Sequence, residues 1–204
     1  MTTSTDAALH ARSTPSLSSI LQAGGSRAAI RDHLDGLSAA DRLAEVLAVK
    51  GKHVGRLYDA VAGGEPLTLA DFVPVGERGT VIFEGRNSLH AFSRFQKRFA
   101  RVGDVLIGYN HQQMSFATGP GYFTVREATP GETQPDELFF DYTMDPPGVP
   151  LGWPRFVRND QGLSRAVYMN MKDFCRTVAT GVLVGKAYKL GVEQGAFFTL
   201  TRAI

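Results

Sequence analysis

VYMNMKDFCRTVATGVLVGKAYKLG, residues 167–191, carries the strongest strand pattern in the chain. Its Val, Phe, Tyr and Thr side chains come in short runs, interrupted at Gly181, Gly185 and Gly191. β-Branched and aromatic residues suit a pleated, half-buried surface, and glycines at such breaks mark bends. The pattern predicts strands over 164–171, 176–184 and 186–190. The closing GAFFTLTR, residues 195–202, adds a strand over 196–202, with 191–195 as a hairpin loop. Within the stretch, GVLVGK at 181–186 invites comparison with a phosphate-binding loop. Its glycines stand one residue too close, and Ala187 occupies the place of the magnesium-binding Ser or Thr, so it reads as strand.

Working upstream, the same pattern predicts strands over 80–85, 104–111, 113–118, 122–128 and 137–144. Gly119-Pro120-Gly121 is a strong turn signal, and 131–135 reads as a second hairpin loop. Pro146, Pro147, Pro150 and Pro154 make 145–154 a long ordered loop, since proline cannot sit in a central strand. Seven or eight short strands without regular helices between them predict an antiparallel barrel or highly curved sheet, not a parallel one. One segment departs from the pattern. Leu89, Phe92, Phe95, Phe99 and Val102 fall on one helical face, and Arg94, Lys97, Arg98 and Arg101 occupy most of the rest. That spacing predicts a helix over about 89–101, closing one end of the barrel, with the basic cluster on its solvated face. A phosphate, an anionic lipid surface or RNA could also meet such a cluster, but no aromatics are interleaved on the basic face to stack bases.

The first third reads as helix. Residues 16–23 and 26–34 form short helices broken at Gly24-Gly25. Ser38 and Asp41 have the spacing of a capping box. Leu43, Val46, Leu47, Lys50, Val54, Leu57, Tyr58 and Val61 then recur on one helical face. Gly51 and Gly55 weaken its middle, where a kink is expected, and Gly63-Gly64 with Pro66 supplies the stop. The organisation is a flexible tail over 1–15, a helical segment over 16–78 packed on the barrel, and the barrel over 79–204. The fold class is α+β, mainly β.

The chain has 204 residues, and its 22 Lys and Arg against 20 Asp and Glu leave a charge of +2. With 43% apolar and 21% charged residues, it is neither a disordered chain nor a collagen-like fibre, and its surface is not built throughout for nucleic acid. Cys175 is the single cysteine, which excludes an internal disulfide and any metal site needing two thiolates. The five histidines are scattered without ligand spacing, so no metal and no cofactor is expected. No apolar run reaches membrane-spanning length, and Met1 to Ser19 lacks the basic start and apolar core of a secretory signal. A cytoplasmic protein without integral membrane association is the expectation. Apolar positions left on the N-terminal helix could pack on the barrel or on a second copy, so a homodimer stays open.

Tyr109, Asn110, His111, Gln112 and Gln113 form the most unusual polar patch. In a strand, Tyr109, His111 and Gln113 share a face with Val105 and Ile107. If that face is the interior, His111 and Gln113 enter an apolar cavity, where a ligand can satisfy them. If it is a strand end, they turn into solvent. His111 could act as a general base, with Asp141 on another strand as its orienting acid. Over 137–144, Leu138, Phe140, Tyr142 and Met144 face one way, as core, and Phe139, Asp141 and Thr143 the other. Tyr142 then belongs in the pocket or at the barrel mouth, because a buried hydroxyl needs a partner. Trp153, the only tryptophan, is either a lid over the cavity or an anchor packing the proline-rich loop onto the barrel.

GPGYFTVRE (119–127), the 167–191 stretch and GAFFTLTR resemble successive strands of the small lipocalin-like barrels that hold apolar ligands. The resemblance spans about 80–204 and is one of pattern, so no residue role is carried over. It implies binding of a small, mostly apolar molecule, oriented by His111, Gln113, Tyr109, Tyr142, Tyr168 and Trp153. Two alternatives stand beside it. One is a cofactor-free isomerase, cyclase or hydratase acting on a hydrophobic metabolite, with His111, Tyr109 and Asp141 as its catalytic residues. The other is a protein-interaction module with the barrel as scaffold.

Overall fold

The computed structural model describes residues 15–89, 93–112, 118–127 and 136–203. Eight strands, β1 (Val81–Asn87), β2 (Arg94–Val102), β3 (Val105–His111), β4 (Phe123–Arg126), β5 (Leu138–Asp141), β6 (Met171–Ala179), β7 (Val182–Lys189) and β8 (Val192–Arg202), each pair antiparallel with the next. β8 returns to pair with β1, so the sheet closes into a barrel, and among the described residues every strand has a neighbour on both sides. Alternation along each strand sends Phe83, Phe95, Phe99, Leu106, Phe123, Val125, Leu138, Phe140, Cys175, Leu183, Phe198 and Leu200 into one buried interior cluster.

The interior is dominated by aromatic rings, and glycines make room for them. Phe95 lies directly across from Gly85, Phe123 from Gly108 and Phe198 from Gly185. In each pair the ring occupies the space that a Cβ on the glycine would need. The rings then contact one another, Phe123 stacking on Phe140 at 4.8 Å and Phe99 meeting Phe83 edge-on at 5.4 Å.

The first third is helical as the sequence predicts: α1 (Leu17–Gln22), α2 (Arg27–Asp35), α3 (Ala39–Ala48) and α4 (Lys52–Ala60). Ser16, Ser26 and Ser38 cap α1, α2 and α3 through their side chains. The expected kink is a full break at Gly51, whose φ of 53° favours glycine. The inner helix faces pack on the outside of the barrel in a second core, where Val46, Val54, Leu57 and Val61 meet Val178, Val182 and Val184. A short helix α5 (Leu69–Phe72) puts the Phe72 ring into one end of the barrel, 5.1 Å from Phe99 and 5.4 Å from Phe140.

Four expected elements are corrected, the first being the strand over 176–184, which a turn at Thr180 and Gly181 divides between β6 and β7. The helix expected over 89–101 is strand β2 from Arg94 onward, with 90–92 outside the described residues. Phe95 and Phe99 are four apart, a separation that fits a helix face and a strand face equally. Pairing with β1 on one side and β3 on the other settles it as strand. The strand expected over 164–171 is mostly a helix, α6 (Ser164–Tyr168), and β6 begins only at Met171. Asn170, at φ 58°, makes the turn between them, a conformation asparagine tolerates better than most residues. The loop expected over 191–195 is a tight turn at Leu190 and Gly191, both at positive φ, after which β8 begins at Val192 and shifts register against β7 around Gly195, itself at φ 61°. The expected strand over 113–118 and loop over 131–135 fall almost wholly outside the described residues. Among the described residues no helix is long and apolar enough to cross a membrane.

Candidate functional site

A lysine stands inside the barrel. On β2 the inward face reads Phe95, Lys97, Phe99, and Lys97 is 2% exposed. Asn110 on β3 lies directly across from it, so both side chains share the interior. Asp173 reaches in from β6, and Tyr142 from the residue following β5. The Lys97 ammonium donates to Tyr142 Oη at 2.6 Å, Asn110 Oδ1 at 2.8 Å and Asp173 Oδ2 at 3.1 Å. All three of its hydrogens are thereby used. The Tyr142 hydroxyl donates onward to Asp173 Oδ2 at 3.0 Å, and Asn110 Nδ2 donates to the backbone oxygen of Gly121 at 3.2 Å.

Aromatic faces close around the charge. Lys97 Nζ lies 4.8 Å from the Phe123 centroid, 5.0 Å from Phe140 and 5.1 Å from Phe198. Ring quadrupoles attract a cation at such distances, most strongly where water is excluded. Burial nevertheless pushes the Lys97 ammonium below its ordinary range, with the Asp173 carboxylate opposing the shift. Burial, reinforced by the Asp173 charge, raises the Tyr142 hydroxyl well above its ordinary value. Cys175, two residues along β6 on the same inward face, has its thiol pushed up by burial in the same way.

α6 and the 118–122 segment cover this cluster. The Tyr168 ring stacks on Tyr142, with centroids 5.5 Å apart and planes 3° from parallel. Gln112 Nε2 donates to Tyr168 Oη at 3.1 Å. Tyr168 lies against Gly121, where a side chain would collide with its ring, and Ser164 Oγ donates to the Thr118 carbonyl at 2.6 Å. Burial raises the Tyr168 hydroxyl to about 12.

The sequence-derived candidates separate into two groups. Tyr142 and Tyr168 are interior and meet each other and the lysine cluster. Tyr109 and His111 lie on the outward face of β3, because Asn110 takes the inward one, so of the two alternatives the His111 side chain takes the one that turns away from the interior. His111 is exposed, and partial burial with the nearby Arg98 charge lowers its pKa. Tyr109 is buried beneath the proline-rich loop, its ring 4.7 Å from Trp153. Trp153 sits on the outer wall, donating from Nε1 to Thr80 Oγ1 at 2.9 Å, which is the anchoring arrangement. Asp141 faces outward, paired with Arg126 at 3.1 Å and accepting from Thr143, two strands away from His111. Met144, past the end of β5, is exposed and not core. Gln113 lies outside the described residues.

The expected basic face dissolves with the helix that carried it. Arg94 is exposed, Arg98 turns outward to Gln96 at 2.8 Å, and Arg101 donates to the Val73 carbonyl at 3.2 Å. Only Lys97 enters the barrel. Helical spacing over 89–101 hid Lys97, Asn110 stood in the polar patch without a role, and Asp173 lay between two predicted strands. The available signal was the two-residue period Phe95-Lys97-Phe99, a charge between two aromatics on one strand face. Compared with protein-family models, with curated proteins and with solved structures, the chain finds no match.

Proposed function

We propose that the barrel binds a small, mostly apolar molecule carrying one oxygen-bearing polar group. The observation that carries this reading is the buried Lys97–Asp173 pair with Tyr142 and Asn110, enclosed by phenylalanine rings. The rings match an apolar or aromatic body. A hydroxyl, carbonyl or carboxylate at one end of the ligand would take the place of one of the cluster's internal hydrogen bonds, from Lys97 or Tyr142. A well-placed hydrogen bond contributes about 1.4 kcal/mol, close to tenfold in affinity.

Denaturing solvent extraction of the purified protein, with mass spectrometry of what is released, looks for a resident ligand. Calorimetric titration with 4-methylphenol, benzyl alcohol and benzaldehyde tests the site directly. Saturable binding weakened about tenfold in Tyr142→Phe is expected. Failure of all three to bind, with nothing released on extraction, would remove the reading.

A second reading, cofactor-free proton transfer on such a molecule, rests on the Tyr142 hydroxyl lying between the Lys97 ammonium and the Asp173 carboxylate. It moves the acid–base role from His111 to this chain of groups. Turnover lost in Tyr142→Phe with binding retained would favour it over simple binding.

A further inference from the structure

We propose that Lys97 is an imine-forming residue, whose amine captures a small aromatic aldehyde inside the barrel. The inference rests on the ligand-binding reading above and names the class of ligand. Of the six lysines, Lys50 and Lys52 are exposed on the helical segment. Lys186 pairs with Glu193 at 3.2 Å on the outside, and Lys189 donates to the Ala166 carbonyl. Lys172 alternates to the outer side of β6, where it lies over the Phe139 ring. Lys97 alone puts an amine among inward-facing rings, where the body of an aromatic aldehyde would pack.

The neighbours supply each proton movement. Lys97 gives a proton to Asp173 Oδ2, 3.1 Å away, and becomes a free amine. Its lone pair forms the C–N bond, and the carbonyl π electrons move to oxygen. A proton passes from nitrogen to that oxygen through the Tyr142 hydroxyl, which touches both Lys97 and Asp173. Protonated Asp173 then delivers its proton to the carbinolamine hydroxyl, water leaves, and the nitrogen lone pair closes the C=N bond. Lysine ammonium and aldehyde have become iminium and water, with no oxidant or reductant. The charge on nitrogen is the same before and after, so the Asp173 pair and the ring faces that balance the ammonium also balance the iminium. Burial, which lowers the ammonium pKa, makes the free amine more available here than on a solvated lysine.

The test incubates the full chain with benzaldehyde and cyanoborohydride at neutral pH and locates secondary amines by peptide mapping. A buried amine held among the rings beside Asp173 and Tyr142 is expected to be labelled several-fold above every other lysine. Excess benzyl alcohol, which matches benzaldehyde in size and forms no imine, should suppress that labelling. The comparison is made within one wild-type molecule, so it does not depend on a variant that folds. Benzyl alcohol binding with Lys97 unlabelled would overturn the imine and leave the pocket standing. Neither binding nor labelling would overturn both, and equal labelling of all six lysines would overturn the imine.

Discussion

Holding a lysine ammonium against a carboxylate inside a ring of phenylalanines carries a desolvation cost that only full hydrogen bonding offsets. Lys97 meets that condition through Tyr142, Asn110 and Asp173. Removing one partner strands the other. Lys97→Met should therefore cost about 3–5 kcal/mol in chemical denaturation. Lys97→Met combined with Asp173→Asn should recover most of that loss, because both charges are then gone. If the double variant is no more stable than the single one, the pair is not the source of the cost. Cys175 on the same face should ignore an aromatic disulfide reagent in the native state and react only on unfolding, since burial both shields its thiol and raises its pKa. At this scale the sequence was half legible. Tyr142 could be placed inside from the alternation over 137–144, whereas Lys97 was hidden by a spacing that fits helix and strand alike.

At the scale of elements, three glycine–phenylalanine pairs across neighbouring strands let large rings lie flat against the barrel wall. Gly185→Ala should cost about 1–3 kcal/mol by overpacking, because its methyl group would meet the Phe198 ring. Phe198→Leu in the same chain should reduce that penalty, and a double-mutant cycle would measure the coupling. α6 depends on a similar accommodation, with Tyr168 against Gly121 at φ 57°. Gly121→Ala should speed hydrogen exchange across 164–168 while leaving β6 to β8 protected, since it strains the cover and not the wall. Strands with clean alternation could be read from sequence. α6 and α5 could not, because elements of 5 and 4 residues take their form from what they cover.

For the whole molecule, the helical layer is fastened to the barrel by more than apolar contact. Arg176 on β6 pairs with Glu137 at 3.0 Å and Asp136 at 3.3 Å, and stacks over the Tyr58 ring of α4, whose hydroxyl meets Glu137. Gly63, just past α4, donates to Asp136 at 2.9 Å. Alkaline pH should loosen the assembly. Tyr168 titrates at about 12 when folded against an ordinary value of 10.0, so the unfolded chain loses this proton first. Its contribution is complete below pH 10 and lost as pH rises to 12. Buried Tyr142 and Tyr58, also raised, add in the same direction. Lys97 acts oppositely, because its lowered pKa means the unfolded chain holds the proton longer, and it contributes a rise in stability up to its ordinary value of 10.5. Melting temperatures across pH 9–12 should fall at the top of the range, and the fall should be smaller in Tyr168→Phe.

The antiparallel barrel and the helical start before it follow from the order of residues, because strand alternation, helix caps and breaks at glycine and proline are local properties of the chain. Which strand faces turn inward is settled by packing and barrel closure. Asn110, not His111, looks into the barrel because β3 must register with Lys97 on β2 and still close the ring through β8. A shift of one residue would exchange the two faces, and local sequence sets the period of two but not its phase. The lysine cluster is assembled from β2, β3, β6 and the residue after β5, a meeting fixed by barrel closure and by no spacing along the chain.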